Sequence, residues 1–490
     1  MREPSTELWI GARDFDELRA HLLQPDKDEH GAVILAGVHH GERRLRLLAR
    51  EVHPVPSEHF VAGEFGYRQT SPRFVAELAS RAADQNLAYV ALHSHPGATR
   101  HNALSGDDRR AHARLFPHLI DLTRRPVTGI ALGSESAAGE VWVNRDEHFP
   151  LAAIQIVGPR LARLTPRPEL GVPLDPRFDR QARLFGVEGQ QILRRLHVGV
   201  IGAGGGGSMI IEQLAHLGVG AITVVDFDIV KEINLSRIVG ATRDDVGSKK
   251  IAIAERLVRR IDDGTTVQAI DGDVADLLVA EQLLNADFLF LATDTITSRL
   301  VFNAIVHRYL IPGVQIGAKV DVMPNGDIAQ VYVAVRPVFP DSGCLRCHSL
   351  IDPIRLQEEA RTDEERVAQN YLNEPEVIDP SVVSLNGISA SHAVNAMLFT
   401  ETGLAADALM NHRLHFPRDG SSLSVDTRRE PDCPFCSRTA TSSFAQGDPS
   451  TGLPCRQGEL RPTQGHTAPA MRIIPRDLVG LIRNRFKSRA

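Results

Sequence analysis

The chain has 490 residues, of which 42% are hydrophobic and 24% are charged, the composition of an ordinary folded protein. This length exceeds what one hydrophobic core supports, so two or three domains are expected. The net charge of −6, without a long basic block, disfavours sequence-independent nucleic-acid binding. No apolar run reaches the roughly 18 residues of a membrane span, and the first residues lack the apolar core of a signal peptide. With five cysteines, a reducing, cytoplasmic compartment is expected.

The first 150 residues are predicted to form a small α/β domain. Four stretches have the composition of strands and one has the pattern of a helix. The strands are 31–36, 89–92, 127–132 and 140–144, and the helix is 74–83. Proline, arginine and glycine are frequent in residues 158–176, which predicts a linker over 151–176.

Strands and helices are predicted to alternate over residues 177–438. The predicted strands are 197–201, 221–225 and 288–292, with helices between them. This alternation favours a doubly wound, mostly parallel sheet with helices on both faces. Residues 439–490 are rich in Ser, Thr, Pro and Gly and then basic, which predicts a mostly flexible tail with a short helix from about Ala470.

A glycine-rich turn follows the first strand of this second domain. Gly202, Gly204 and Gly207 let the backbone approach phosphate, and the helix that follows supplies unpaired N–H groups. Such a turn fits a dinucleotide site, a nucleoside triphosphate site or a purely structural bend. Asp226 ends the next strand, where a carboxylate can hold ribose hydroxyls. This favours a nucleotide but does not choose between NAD and ATP.

Charged residues further along the chain favour ATP. Attack on phosphorus builds negative charge on the triphosphate, whereas hydride transfer needs no cations beside the nucleotide. Arg237 and Lys250 supply positive charge, and Asp294 can bind Mg²⁺ through oxygen. Asp228 and Asn234 accompany them, although Asn234 fits a helix cap equally well. Lys249 is expected to be only a solvated neighbour of Lys250.

The segment 177–438 resembles the ubiquitin-activating family and its bacterial relatives of the ThiF and MoeB type, which adenylate sulfur-carrier proteins. Five motifs occur in the family's order, beginning with residues 177–186. The resemblance implies that ATP and Mg²⁺ are used to join a protein's C-terminal carboxylate to AMP. It implies that the partner is a ubiquitin-like or sulfur-carrier protein ending in Gly-Gly, with a conjugating enzyme as a further partner in some pathways.

The resemblance also implies residue roles. Asp226 would bind ribose, Asn234, Arg237 and Lys250 would contact phosphates, Asp294 would bind Mg²⁺, and Arg180 would enter the partner's site in a homodimer. Arg180 has the alternative of a surface charge. Ile238 departs from the family pattern, since many relatives carry Gln there.

Two C-x-x-C pairs predict a structural zinc site, because two such knuckles supply four thiolates in tetrahedral geometry. They are Cys344 with Cys347 and Cys433 with Cys436. The alternatives are free thiols or an unrelated redox pair. Relatives of this family carry the same knuckles.

A catalytic cysteine that many relatives place before a segment like 380–387 is missing. No cysteine occurs between Cys347 and Cys433, and the spare thiol is Cys455. We therefore expect the adenylate to pass directly to another protein's thiol, with Cys455 as the alternative carrier.

The N-terminal domain carries a second candidate metal site. His93 and His95 lie on alternate positions after a strand, so they can share one ion. Asp108 as a third ligand would leave one zinc position for water, whose pKa zinc lowers to ~7. The alternatives without a metal are that the histidines are ordinary surface residues and that Ser105 and Asp108 form a helix capping box.

This pattern resembles the JAMM (MPN) metalloproteases, whose signature is H-x-H-P, a gap and S-x-x-D. The resemblance covers about residues 5–150, with a gap one residue longer than the commonest form. It implies cleavage of peptide or isopeptide bonds at the C-termini of ubiquitin-like proteins. It implies zinc binding by His93, His95 and Asp108, oxyanion stabilisation by Ser105, and general base catalysis by Glu29, with Asp28 as the alternative.

The sequence thus predicts an α/β chain in which a JAMM-like zinc metalloprotease precedes a Rossmann-like adenylation domain. The predicted function is a bifunctional enzyme of a bacterial-type ubiquitin-like pathway. The alternatives are a sulfur-carrier or small-peptide adenylyltransferase with a tail-releasing protease, a non-catalytic nucleotide and zinc scaffold, and an NAD-linked oxidoreductase. The sequence does not choose between precursor maturation and removal of the modifier, or between defence and biosynthesis.

Overall fold

The computed structural model describes residues 5–42, 44–62, 68–168, 173–323, 325–360, 380–406, 409, 411–437 and 446–457. Two sheets of eight strands each dominate these residues. None of the described helices is long and apolar enough to cross a membrane. The helix predicted from Ala470 lies outside the described residues.

The N-terminal half forms the first sheet and three helices. The strands are β1 (Ser5–Gly11), β2 (Gly31–His40), β3 (Arg44–Pro54), β6 (Ala88–Ser94), β7 (Val127–Leu132), β8 (Ala137–Trp142), β9 (His148–Val157) and β10 (Ala162–Leu164), with a separate hairpin of β4 (Phe60–Ala62) and β5 (Arg68–Thr70). The helices are α1 (Ala12–Leu22), α2 (Pro72–Asp84) and α3 (Gly106–Thr123). The strand order is β1-β3-β2-β6-β7-β8-β9-β10, and β1 also pairs with β9.

The first sheet is buried on both faces. Successive residues of a strand point to opposite sides, so Ile34 joins the apolar cluster beneath α1. Val33 and Leu35 instead join the cluster beneath α2 and α3. Burial on both faces explains why β2 is a continuous apolar run. The predicted strands 31–36, 89–92 and 127–132 are confirmed.

Part of the segment predicted as a linker belongs to this sheet. Strand β9 crosses residue 150, and β10 pairs with it antiparallel. The sheet therefore extends to Leu164, beyond the predicted domain boundary. The short length of β10 and its Pro- and Arg-rich flanks concealed it in the sequence.

The second sheet has the predicted alternation of strands and helices. In chain order the elements are α4 (Asp179–Arg195), β11 (His197–Ile201), α5 (Gly205–Leu217), β12 (Ala221–Val225), α6 (Lys250–Ile261), β13 (Thr266–Ile270), α7 (Leu277–Gln282), β14 (Phe288–Leu291), α8 (Ile296–Tyr309), β15 (Gly313–Val322), β16 (Ile328–Val338), α9 (Pro353–Glu359), α10 (Val383–Glu401), β17 (His412–Phe416) and β18 (Ser421–Val425). The order is β13-β12-β11-β14-β15-β16-β17-β18. The first five strands in this order, β13-β12-β11-β14-β15, are parallel. Strands β16, β17 and β18 then extend the sheet with antiparallel pairing.

The two halves are joined by buried contacts. The Arg46 guanidinium donates to the carbonyls of Leu284 at 2.9 Å and Ala286 at 3.1 Å, and it lies 4.2 Å from the centre of the Trp9 ring. Asp287 pairs with Arg46 at 3.3 Å and with Arg44. Only 1% of Arg46 is exposed, so these contacts bury a charge that is paired with Asp287, although the Nε of Arg46 has no hydrogen-bond partner among the described residues.

Residues 446–457, predicted as part of a flexible tail, pack against both halves. The amide of Gly447 donates to His307 O at 3.1 Å, and the amide of Arg456 donates to Ala275 O at 2.9 Å. Asp448 pairs with Arg50 of β3. These backbone bonds have no signature in the sequence, which is why composition alone predicted mobility here.

Candidate active sites

The glycine-rich turn joins β11 to α5. Gly202 has φ of 95°, in the left-handed region that favours glycine. A Cβ on Gly207 would lie 1.9 Å from the carbonyl oxygen of Gly202, so no side chain fits there. Gly204 is the N-cap of α5, whose first N–H groups open toward the turn. The geometry is that of an anion-binding helix N-terminus.

Asp226 is fixed beside this turn, at the end of β12. Its Oδ2 accepts from the amide of Ala203 at 2.7 Å, and its Oδ1 accepts from the amide of Asp228 at 2.8 Å. Burial raises the pKa of Asp226, and attraction by Lys250 and the two amide bonds opposes that rise. Lys250 donates to Asp228 Oδ2 at 2.6 Å. Three predicted residues thus lie together.

Two further predicted residues approach the turn from other elements. A Cβ on Gly202 would lie 2.7 Å from Thr293 Cγ2, so the chain that carries Asp294 passes beside the turn. Asp294 itself is exposed. A Cβ on Gly205 would lie 3.2 Å from Arg237 Cδ, which places Arg237 at the start of α5. The structure therefore gathers the predicted cations and carboxylates at the carboxyl ends of parallel strands.

Some residues of this region have structural partners. Asn234 is buried, and its Oδ1 accepts from the amide of Lys231 at 3.0 Å, so it caps its own turn. Lys249 is not merely solvated, because it donates to Asp271 Oδ1 at 2.8 Å and Phe227 O at 2.7 Å. Ile238 packs in a small apolar cluster, which accounts for its departure from Gln.

Arg180 lies on an exposed part of α4. Exposed apolar side chains follow it, with Leu184 at 61% exposure before the kink at Gly186 and Val187 at 45% exposure after it. The predicted reach of Arg180 into a partner subunit stays a prediction.

The four knuckle cysteines form one cluster. Sγ–Sγ distances are 3.7 Å from Cys344 to both Cys347 and Cys433, and 3.6 Å from Cys347 to Cys436. All four sulfurs lie within 4.8 Å of one another. Four thiolates at ~2.3 Å from a zinc ion would be roughly 3.8 Å apart, so the donor set fits a structural zinc.

Cys455 is set apart from this cluster. It packs against the apolar core of the second domain, and its Sγ lies 3.7 Å from Val274 O. Burial raises the pKa of Cys455 to about 12. A thiol with such a pKa is a poor nucleophile at neutral pH, which disfavours Cys455 as a thioester carrier.

The N-terminal candidate metal ligands also meet. His93 Nε2 lies 3.1 Å from His95 Nε2, and Asp108 oxygens lie 3.3 Å from His93 Nε2 and 3.5 Å from His95 Nε2. Ligands at ~2.0–2.1 Å from zinc in tetrahedral geometry would be roughly 3.3 Å apart, so this donor set fits the ion.

Asp108 combines the two roles that the sequence left as alternatives. Ser105 Oγ accepts from the Asp108 amide at 3.1 Å, while Asp108 Oδ2 accepts from the Ser105 amide at 2.7 Å, a complete capping box. Burial opposes ionisation of Asp108, but hydrogen bonds from His93 and His95 outweigh it and hold its pKa well below the usual range. The cap thus orients a carboxylate that also faces both imidazoles.

Glu29 lies two residues before β2, close enough to His93 and His95 to interact with them electrostatically. Burial raises the pKa of Glu29, and attraction by His93 and His95 partly offsets that rise. The cause is geometric, since Gly31 pairs with His93 across β2 and β6. A half-buried carboxyl near these residues suits a general base better than a fully hydrated one, although its role stays a prediction.

Sequence reasoning missed three residues that support the sites: Asp271, Asn386 and Asn102. Asp271 pairs with Lys249. Nδ2 of Asn386 would lie 2.3 Å from a Cβ on Gly205, so this amide rests on the glycine-rich turn. Asn102 lies 3.0 Å from His95. Asp271 and Asn386 are distant in sequence from the segments that they touch, and Asn102 lies in the gap between H-x-H-P and S-x-x-D, where the pattern specifies no residue, so spacing carried no signal.

Comparison with known proteins concerns the second half of the chain. Residues 178–435, more than half of the chain, match the model of the ThiF family. The SAMP-activating enzyme E1 of Haloferax volcanii is 30% identical over 266 residues, which cover 54% of this chain and 88% of that protein. The sulfur carrier protein adenylyltransferase of Thermus thermophilus is 26% identical over 271 residues, covering 53% and 90%.

A solved structure also matches part of the chain. The crystal structure of Escherichia coli MccB with ATP matches with 19% sequence identity and a TM-score of 0.43, covering 54% of this chain and 75% of that one. The family match and the similarity to the Haloferax enzyme are the findings that decide the assignment. On those two matches, the chain belongs to the ThiF family.

Proposed function

We propose that the chain adenylates the C-terminal carboxylate of a ubiquitin-like or sulfur-carrier protein with ATP. The observation that carries the proposal is the convergence of the glycine-rich turn, Asp226, Arg237, Lys250 and the chain bearing Asp294 at one edge of a parallel sheet. The names of the Haloferax and Thermus relatives support the same class of substrate.

In the proposed reaction, an oxygen of the tail carboxylate attacks the α-phosphorus of ATP. The new C–O–P link forms as the bond to the bridging oxygen breaks, and pyrophosphate leaves. The N–H groups at the start of α5 hold phosphate oxygens, and Arg237 and Lys250 offset the negative charge that develops. Mg²⁺, when bound by Asp294, would neutralise further charge on the triphosphate.

The proposal includes a homodimer and a direct transfer. Arg180, flanked by exposed Leu184 and Val187, would act in the site of a second copy. Because Cys455 is a half-buried thiol with a raised pKa, the adenylate would pass to a thiol of a different protein.

The test is ATP–pyrophosphate exchange with a candidate Gly-Gly-ending protein. Asp294→Asn should reduce exchange by at least ~10²-fold, the scale seen when transition-state charge stabilisation is removed. The matched control is Asp419→Asn, since Asp419 lies in the exposed turn between β17 and β18 and should leave exchange unchanged. Equal exchange in both variants would remove Asp294 from the mechanism.

A second activity is proposed for the N-terminal domain: zinc-dependent cleavage of peptide or isopeptide bonds at the tail of the same class of protein. The supporting observation is the meeting of His93, His95 and Asp108 at distances that suit one ion. When bound there, Zn²⁺ would polarise the scissile carbonyl and lower the pKa of water to ~7.

The chain's own residues would handle the protons. Glu29 would take a proton from the attacking water and deliver it to the leaving nitrogen as the C–N bond breaks. The capping box would keep Asp108 oriented toward both imidazoles, and Ser105, which is exposed at the start of α3, would steady the developing oxyanion.

This activity is tested by zinc content and by cleavage of a tail-extended substrate. His95→Ala should lose both zinc from the N-terminal domain and chelator-sensitive cleavage. The control is His118→Ala, because His118 is exposed on α3. Chelator-sensitive cleavage that survives His95→Ala would refute the metal assignment.

Taken together, the two activities form a bifunctional enzyme of a bacterial-type ubiquitin-like pathway. Cleavage of a precursor with an extended tail would indicate maturation. Cleavage of an isopeptide-linked conjugate would indicate removal of the modifier. A partner that never forms covalent conjugates would favour the sulfur-carrier alternative. Tight NADH binding would instead favour an NAD-linked oxidoreductase. If the chain binds zinc and ATP but catalyses neither reaction, a non-catalytic scaffold would be favoured.

A further inference from the structure

The loop between β6 and α3 contains an asparagine that contacts a candidate metal ligand. Asn102 Oδ1 lies 3.0 Å from Nδ1 of His95. The opposite ring nitrogen, Nε2, faces His93 and Asp108 at 3.1 and 3.5 Å. The imidazole of His95 therefore lies between Asn102 and the candidate metal ligands.

The orientation of the Asn102 amide follows from its other contacts. Its Nδ2 donates to Ala131 O at 3.1 Å, an acceptor that only the NH₂ group can satisfy. Its Oδ1 accepts from the amide of Ala103 at 2.9 Å. The atom facing His95 is therefore an acceptor, and Nδ1 of His95 must carry the hydrogen. The lone pair of the neutral ring then lies on Nε2, where a metal ion would need it.

The backbone of Asn102 is also anchored. Its amide donates to Pro166 O at 2.8 Å, just after β10. Two neighbouring bonds hold the same loop, from the Ser134 amide to Ala98 O at 3.0 Å and from Ser136 Oγ to Thr99 O at 2.5 Å. The segment leading to the adenylation domain thus fixes the loop that carries Asn102.

We propose that Asn102 is a positioning residue, which holds His95 as the Nδ1–H tautomer with Nε2 directed at the metal. The inference rests on the proposed zinc site and assigns a residue outside the H-x-H-P and S-x-x-D pattern. Outer hydrogen bonds of this kind orient metal-binding histidines, and their removal costs about 10–100-fold in metal affinity.

The experiment measures the zinc affinity of the N-terminal site in the full chain by competition with a chromogenic chelator. Asn102→Ala removes the acceptor and should weaken zinc binding by about 10–100-fold. Asn102→Asp keeps an acceptor for His95 but replaces the donor to Ala131 O. It should therefore retain much more zinc affinity than Asn102→Ala while lowering the melting temperature.

A merely structural role predicts a different pattern, in which both variants lose zinc affinity in proportion to their loss of thermal stability. That result, or unchanged affinity in Asn102→Ala, would overturn the inference. Asn144→Ala is the control, since the Asn144 side chain bonds to Glu147 and to the Asp146 amide within the turn between β8 and β9.

The same measurements separate this inference from the proposed function. If His95→Ala leaves zinc binding at this site unchanged, the metal site itself is wrong. If His95→Ala abolishes zinc binding but Asn102→Ala does not weaken it, the site stands and the role of Asn102 fails. The tautomer of His95, read from its ring-nitrogen chemical shifts, gives a second readout that is independent of activity.

Discussion

Single residues decide whether the glycine-rich turn can hold a nucleotide. The pattern of glycines was visible in the sequence, and two of them meet a backbone limit: Gly202 has a positive φ, and Gly207 has no room for a Cβ. By contrast, Asn386 of α10 lies far in sequence from the turn that it touches, and Asn102 stands at a variable position between the H-x-H-P and S-x-x-D elements. A single asparagine in either setting carries no such signal, so these residues required the structure.

At this scale, Gly207→Ala should prevent tight ATP binding, because its Cβ would fall 1.9 Å from Gly202 O and force the turn apart. Fluorescent ATP titration measures the effect, with a loss of at least about tenfold expected, or ~1.4 kcal/mol. Gly317→Ala is the control, since its Cβ would make ordinary contacts at 3.6 Å or more. Should Gly207→Ala fail to fold, Lys250→Met tests the same site without crowding, and normal ATP binding there would contradict the assignment.

At the scale of elements, periodicity predicted only part of the two sheets. Strands β7, β11 and β12 have the predicted bounds, whereas strands β1, β3, β9, β13 and β15 to β18 were not predicted. The clearest errors are β10, which was assigned to a linker, and residues 446–457, which were assigned to a flexible tail; both are short and held by backbone bonds to other elements. Neither has an apolar period of its own, so local patterns could not reveal them.

Contacts between elements of different domains yield the next prediction. Arg46 of β3 donates to carbonyls before β14 and pairs with Asp287, and burial lowers the pKa of Arg46 to about 10 without discharging it at neutral pH. Arg46→Met would remove one of the two arginines that pair with the largely buried Asp287 carboxylate. Breaking a buried pair costs about 3–5 kcal/mol, so the melting temperature should fall markedly and the domain junction should become sensitive to protease.

The control for that prediction is Arg73→Met, because Arg73 is exposed on α2. Equal melting temperatures for the two variants would show that the buried network does not stabilise the junction.

At the scale of the whole molecule, the two candidate sites lie away from the contacts that join the domains. Gly31 pairs with His93 at one end of β2, whereas His39 pairs with Arg46 near the other end, roughly 25 Å along the strand. In the second domain, Asp287 precedes β14, while the nucleotide turn lies at the carboxyl ends of the strands. Because neither candidate site includes residues of the junction, a substitution at one site should leave the proposed activity of the other unchanged.

The second domain is proposed to activate the carboxylate of a protein tail. The most direct measurement is ATP–pyrophosphate exchange by the intact chain with a ubiquitin-like protein ending in Gly-Gly, compared with the same protein lacking those two residues. We expect Mg²⁺-dependent exchange with the intact tail, none with the shortened tail, and full exchange in His95→Ala and in Cys455→Ser. Exchange that is equally fast without the tail, or absent with every Gly-Gly-ending protein encoded beside this chain, would contradict the proposed adenylation.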